Sequence, residues 1–354
     1  MKKEMSMTAV GWLYAFVHFS LEIACFYMLF SRFSASPLWW GLALLYDALA
    51  FLPQSMWGAI LDRFPKLPMG IVGGILTFSA LLIPWPLPAL LIISLGNAMV
   101  HISGAQATLC GANGKLAPSG IFVGGGSWGV IAGQMLALSG WAHALWIPLV
   151  CMAFSLVLMG WIRNSRRLDE PAAGFHVAAD LPTAPLVLLT FLVVTARAYV
   201  GYAIPTAWNK AAWQAVLLFV CMGIGKAAGG IAADRFGARP TAMYSLLAAL
   251  PFLLWGDSVM VISLVGVALF NMTMPLALAI LVSRFPDNPG LSFGITTIGL
   301  FVGSVPAFFI RPQGAVAQIL VFVLTLIAWL ALMMCLKKGE AYNGRKSHFN
   351  GCDR

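Results

Sequence analysis

Apolar runs of about 20 residues, broken by short polar stretches, fill almost the whole chain. Twelve such runs can be marked, at about 8–30, 37–60, 67–84, 87–109, 120–140, 143–162, 185–206, 210–232, 240–255, 258–282, 291–311 and 314–336. At 1.5 Å of rise per residue, a helix of that length crosses the roughly 30 Å hydrocarbon core of a bilayer. The pattern predicts an all-α integral membrane protein with twelve transmembrane helices. The first run contains His18 and Glu22 and lacks a small-residue cleavage site, so it is expected to stay as a span and not leave as a signal peptide.

Composition agrees with this reading. The chain is 60% hydrophobic and 9% charged, a balance that no water-facing domain of this size carries. Its net charge of +9 suggests nucleic acid until the cations are placed. Sixteen, including Arg63, Lys66, Lys115, Arg163, Arg166, Arg167, Arg235, Arg239 and Arg284, fall in segments on the side of the N-terminus, and only Arg32, Lys210 and Arg311 fall on the other. The positive-inside rule then predicts cytoplasmic N- and C-termini, a bilayer partner and no nucleic acid. The six cysteines have no CxxC spacing; they read as small apolar packers, with no metal or disulfide role expected.

The chain also repeats itself. Gly58, Asp62 and Arg63 return 172 positions later as Gly230, Asp234 and Arg235; Gly120, Gly124 and Gly129 return at an offset of 170 as Gly290, Gly294 and Gly299; Asn97 returns at 174 as Asn271. The polar stretch 163–184 divides the runs six and six. Residues 1–162 and 185–336 therefore read as two pseudo-symmetric six-helix bundles, 163–184 as a cytoplasmic linker and 337–354 as a cytoplasmic tail. Duplication of a membrane unit points to alternating access between the copies. Small residues at helical spacing, as in Gly124, Gly125, Gly126, Gly129 and Gly133, let helix backbones approach closely in lipid, for static packing or for sliding.

The two G-x-x-x-D-R loops resemble the motif that major facilitator superfamily transporters carry between spans 2 and 3 and again between spans 8 and 9. Gly230, Asp234, Arg235, Gly237 and Arg239 match it fully; the first copy keeps Gly58, Asp62 and Arg63 but has Pro65 at the second glycine. The resemblance implies that spans 1, 4, 7 and 10 line a central cavity. Gly96-Asn97 through His101 and the Gly124-Gly125-Gly126 run further resemble the fosmidomycin-resistance-type branch, although Ile102 stands where that branch has proline. For the Asp-Arg loops electrostatics suggests a gate, the aspartate binding free amides at a neighbouring helix N-terminus where the dipole favours an anion.

Ionisable groups at mid-membrane cost about 2.5–3.5 kcal/mol each on insertion scales, so each needs a use or a partner. Glu22, Asp47 and His101 are candidates for proton coupling. His18, Asn97, Arg197 and Asn271 are candidates for solute binding: His18 shares a helix face with Glu22, and Asn97 with His101. Glu22 and Arg197 hold near-equivalent positions in spans 1 and 7, so they are expected on facing walls, either working in transport or paired permanently. Lys226 is expected to snorkel toward cytoplasmic water. Neither a P-loop nor an HExxH signature occurs, so no cofactor beyond a coupling proton and no metal is expected, and the chain is not expected to be an enzyme. The expectation is a monomeric, proton-coupled secondary transporter of a small organic solute, anionic or zwitterionic, in the inner membrane. An uncoupled facilitator, an intramembrane enzyme and a non-transporting membrane protein are the alternatives.

Overall fold

The computed structural model describes residues 5–165, 170–310 and 312–338. Lys2, Lys3, Arg166, Arg167, Arg311, Cys352 and the tail from 339 lie outside them. Among the described residues there are fourteen α-helices: α1 (Met7–Phe33), α2 (Trp39–Phe51), α3 (Gln54–Arg63), α4 (Met69–Leu82), α5 (Pro86–Leu109), α6 (Ala117–Leu138), α7 (Trp146–Ser165), α8 (Thr183–Ala203), α9 (Ala212–Phe236), α10 (Ala238–Trp255), α11 (Met260–Asn271), α12 (Met274–Arg284), α13 (Pro289–Phe309) and α14 (Gly314–Cys335).

Two pairs are single rods with a break. Pro53, which has no N–H to donate, interrupts α2–α3. Pro275 interrupts α11–α12, and the chain turns tightly through Met272 and Thr273. Counted as rods, the fourteen helices become twelve. Ten of these are long and apolar enough to cross a membrane, which makes the chain a multi-pass membrane protein. The two that fall short are the third rod of each half: α4 has only 14 residues, and α10 opens on Arg239-Pro240 and contains Pro251. The repeat thus extends to its weakest members.

The halves meet along two matching seams, α6 against α9 and α3 against α13. Glycine makes both possible. A Cβ on Gly124 would lie 2.7 Å from Gly223 O, and one on Gly230 would lie 2.6 Å from Leu116 O. In the second seam a Cβ on Gly58 would meet the Gly290 carbonyl at 2.3 Å, and one on Gly294 would meet Ser55 Cα at the same distance. Side chains stitch the seams, with Trp128 Nε1 donating to Val220 O at 3.2 Å and Thr297 Oγ1 to Phe51 O at 3.2 Å.

The central connection is ordered where it is described. α7 runs on to Ser165, and Arg163 donates to Lys66 O. Beyond the undescribed residues, Ala172 N donates to Pro286 O at 3.0 Å, and Ala178 pairs antiparallel with Leu336. Arg284 donates to Ala179 O and Leu181 O. The segment is thereby fastened under the second half. None of the described cysteines is in a disulfide.

Within the first half, α6 lies so close to α1 that a Cβ on Gly125 would sit 2.2 Å from Ala15 O, whereas one on Gly160 would meet nothing. Gly125→Val should lower the thermal midpoint in detergent, by at least the 1–3 kcal/mol or so typical of overpacking. Gly160→Val should leave the midpoint within about a degree, since free surface changes cost about 0.5 kcal/mol or less. Equal midpoints for the two variants would contradict the packing described.

Candidate functional site

One face of α1 carries Tyr14, His18, Glu22 and Cys25, spaced four, four and three residues apart as a single helix stripe requires. α5 turns Asn97 and His101, again four apart, toward that stripe. The result is a compact polar cluster in the first half. Asn97 Nδ2 lies 3.1 Å from Glu22 Oε1, 3.1 Å from Tyr46 OH and 3.4 Å from Cys25 Sγ. His18 Nε2 and His101 Nε2 each stand 3.6 Å from Glu22 Oε1. The two imidazoles meet edge to face with centroids 4.4 Å apart.

Main-chain carbonyls set the histidine tautomers. His18 Nδ1–H donates to Phe122 O at 2.9 Å, and His101 Nδ1–H to Asn97 O at 3.0 Å. A carbonyl oxygen only accepts, so both Nδ1 atoms carry hydrogen and both Nε2 atoms are left to face the carboxylate. Glu22, His18 and His101 are each 7% exposed and Asn97 1%. Burying an ionisable group this deeply is tolerable only with partners of this kind. Phe122 lies beside both rings, and Phe293, from the second half, sits 6.4 Å from His101 and 6.2 Å from Phe122.

Arg197 does not face Glu22 as a pair, and the permanent-pair alternative is thereby corrected. It sits in the second half, donating to Phe270 O at 3.1 Å and to Met274 Sδ at 3.4 Å, with its guanidinium 4.9 Å from the Phe270 ring centroid. The break at Met272–Thr273 is the reason, since it frees the Phe270 carbonyl from the helical ladder. Arg197 Nε has no partner, and no carboxylate lies within ion-pair distance among the described residues. Asn271 donates to Val267 O of its own helix, at 2.8 Å, and is not part of the cluster around Asn97. Lys226 is a second correction. It does not reach for water but crosses the α6–α9 seam to donate to Ser127 Oγ at 2.7 Å. Asp47, next to Tyr46 on α2, makes no hydrogen bond or ion pair among the described residues.

At one end of the molecule the two repeated aspartates reach across between the halves. Asp62 Oδ1 and Oδ2 accept from Gly290 N and Leu291 N, both at 2.8 Å, at the first turn of α13. Asp234 Oδ1 and Oδ2 accept from Leu116 N at 2.6 Å and Ala117 N at 3.0 Å, at the start of α6. Each carboxylate spans two free helix-end amides. The arginines of the motif divide their work. Arg63 and Arg235 are exposed beside Phe64 and Phe236. Arg239 caps the C-terminus of α14 through Met333 O and Leu336 O.

Sequence reasoning passed over Tyr46, Cys25, Phe122, Phe293 and Ser127. Cys25 carries a signal, being three residues from Glu22 on the same face, although its lack of CxxC spacing reads as packing. Phe122 and Phe293 join the cluster through tertiary contacts alone, and no spacing announces them.

No family model matches the chain, and no curated protein sequence does. Solved structures do match its fold. The human organic anion transporter MFSD10 covers 93% of this chain and 97% of its own at 15% identity, with a TM-score of 0.66. The fucose:proton symporter FucP of E. coli covers 93% and 98% at 14% identity and a TM-score of 0.64. Another structure of FucP, described as a major facilitator superfamily transporter in the outward conformation, covers 90% and 97% at 17% identity and a TM-score of 0.60. The fold is that of the major facilitator transporters.

The two repeat-related asparagines have unequal duties, and this is measurable. Asn97→Leu removes the amide beside the Glu22 carboxylate and should cost about 1.5–3 kcal/mol, the range for a hydrogen bond to a charged group. Asn271→Leu removes a bond within one helix and should cost about 0.5–1.5 kcal/mol. Thermal unfolding in detergent checks the order; a larger loss for Asn271→Leu would contradict this account of the cluster.

Proposed function

We propose that this chain, built on the major facilitator fold, is a secondary transporter. It moves a small organic solute across the inner membrane by alternating access of two six-helix bundles, with the termini cytoplasmic. The observation that carries the reading is the pair of aspartate clamps. Each half holds the other by one carboxylate on two helix-end amides, and both contacts close the same end. A charge-to-dipole contact contributes about 0.3–1 kcal/mol when exposed and up to ~2 when partly buried. That is enough to favour one arrangement of two bundles and little enough to release. The positive-inside distribution puts this end in the cytoplasm, so breaking the clamps opens the inward-facing state.

Within that cycle Glu22 is the proton carrier. Its partners His18, His101 and Asn97 all belong to the first half, so rocking of the second half, which brings Phe293 over the cluster, alters its access to water. Arg197 is the anchor for an anionic or zwitterionic solute, supported by its burial without a carboxylate and by its unpartnered Nε. The organic anions named for MFSD10 and the proton coupling named for FucP are in keeping with both assignments. An intramembrane enzyme would need its polar groups gathered at one interface. An uncoupled facilitator would have no need of a buried carboxyl beside two histidines.

Thermal-shift screening of the purified protein against organic anions tests the anchor, because a ligand stabilises the state it binds in proportion to occupancy. Compounds that raise the midpoint should lose that effect in Arg197→Gln. In proteoliposomes, a pH gradient should drive accumulation of such a compound. Glu22→Gln should abolish this while exchange of labelled for unlabelled compound continues. Gradient-driven accumulation that survives Glu22→Gln would remove Glu22 from coupling.

For the clamps, Asp234→Asn keeps the shape and drops the charge. At about 1.4 kcal/mol per tenfold change, losing the contact should shift the inward-to-outward ratio by a few-fold to about thirty-fold. Cys110, 3% exposed, lines the cleft beside Asp62, and with the other cysteines replaced it serves as the reporter. Its labelling from the cytoplasmic side should quicken in the variant. An unchanged rate would sink the gate reading.

A further inference from the structure

Three groups in the first half converge on one point with lone pairs only. Both Nδ1 atoms are committed to carbonyls, at 2.9 and 3.0 Å, so with neutral imidazoles the two Nε2 atoms and Glu22 Oε1 face one another as acceptors. Asn97 Nδ2 is the sole donor with a hydrogen bond to that oxygen among the described residues. Two lone pairs turned on a carboxylate repel it unless a cation sits among them, and that cation is either a proton or a metal ion.

Distance separates the two. A proton shared between imidazole and carboxylate draws them to about 2.7–2.9 Å. Here both separations are 3.6 Å, and the three ligand atoms all lie within 4.8 Å of one another. Around a tetrahedral ion with bonds of about 2.0–2.2 Å, neighbouring ligand atoms lie roughly 3.3–3.6 Å apart. The two carboxylate–imidazole spacings therefore match edges of a coordination polyhedron. A ligating histidine characteristically donates its other ring nitrogen to a carbonyl or carboxylate, which fixes its tautomer and raises its basicity; both histidines already do so. The ligand set also has a chemical preference. Two imidazoles and a carboxylate suit zinc and its first-row neighbours, whereas calcium and magnesium prefer oxygen.

We propose that His18, Glu22 and His101 form a binding site for a divalent first-row transition-metal ion. His18 Nε2, His101 Nε2 and one Glu22 carboxylate oxygen are the ligands, and a further position stays open to water or a bound anion. Binding is an equilibrium property of the first half and does not depend on the transport reading.

Cobalt(II) is the probe, because its visible ligand-field bands report coordination number and ligand type. The full chain, purified without a histidine tag and stripped with chelator, is titrated with Co²⁺ in detergent, then with Zn²⁺. One Co²⁺ per chain with tetrahedral or five-coordinate bands, displaced by Zn²⁺, is the expected result. His18→Gln and His101→Gln should each weaken binding by more than the ~10–100-fold that even an outer-sphere partner contributes. His143→Ala and His176→Ala should bind like the parent. Zn²⁺ should also raise the thermal midpoint of the parent but not of the two ligand variants, a readout that includes a check that they fold. Absence of Co²⁺ binding by the parent would overturn the proposal, as would bands that persist in both His18→Gln and His101→Gln. Metal binding without proton-driven accumulation would leave this site standing and remove the coupling role of Glu22; the reverse result would do the opposite.

Discussion

The whole arrangement depends on a charge reaching a helix end across a seam that only glycine allows. Asp62 and Asp234 can touch the amides of α13 and α6 because Gly58, Gly290 and Gly230 let the backbones approach within the reach of one short side chain. A Cβ at Gly58 or Gly230 would push the helices apart, and the carboxylates would lose their amides together. Packing and electrostatics are therefore one constraint here. The small-residue stripe closes the seam, the closed seam brings donor to acceptor, and the contact remains a matter of about a kilocalorie or two.

Glu22 and Arg197, deeper in the molecule, are settled differently, each within its own half. Glu22 is surrounded by α1 and α5 neighbours, while Arg197 rests on a carbonyl, a thioether and an aromatic face of the α11–α12 rod. No ion pair links the halves at that depth among the described residues. A salt bridge there would be expensive to break in a low-dielectric interior and would hold the halves in one arrangement. With Glu22 and Arg197 divided this way, the carboxylate ties between the halves lie at one end, and Lys226 on Ser127 is the cationic tie deeper in the seam. A hinge-like or rocking motion meets least resistance in just such a layout.

Much of the architecture was legible because bilayer thickness imposes a period that no other environment imposes. Runs such as 87–109 and 314–336 came within a residue of α5 and α14. The break in the span from 258 to 282 was not expected, although Pro275 was there to be read, because a proline in a membrane helix is tolerated as often as it interrupts. At the site, spacing on one helix was enough to pair His18 with Glu22 and Asn97 with His101. Spacing between helices was not enough. Equivalent depth in repeat-related spans placed Glu22 opposite Arg197, but depth says nothing of azimuth, and the freed Phe270 carbonyl drew the guanidinium elsewhere. Lys226 went astray for a related reason: snorkelling assumes lipid on every side, whereas the glycine seam brings Ser127 within 2.7 Å.

The two short rods bear on the membrane itself. α4, of 14 residues, is about 21 Å long, and α10, of 18 residues, about 27 Å. Both turn side chains outward, with Ile75 51% and Tyr244 65% exposed. Trp85, just beyond α4, and Trp255, at the end of α10, are exposed indoles 170 positions apart, placed where such rings anchor at the headgroup boundary. At the opposite ends lie the cationic loops of Arg63 and Arg235. Each third rod is thus a ruler marked at both ends and cut shorter than the roughly 30 Å of an average hydrocarbon core. Lipid beside these rods must thin, or the rods must stand more upright than their neighbours, and either adjustment costs a fraction of a kilocalorie per ångström. Acyl-chain length thereby enters the energy of the folded protein as directly as any side chain.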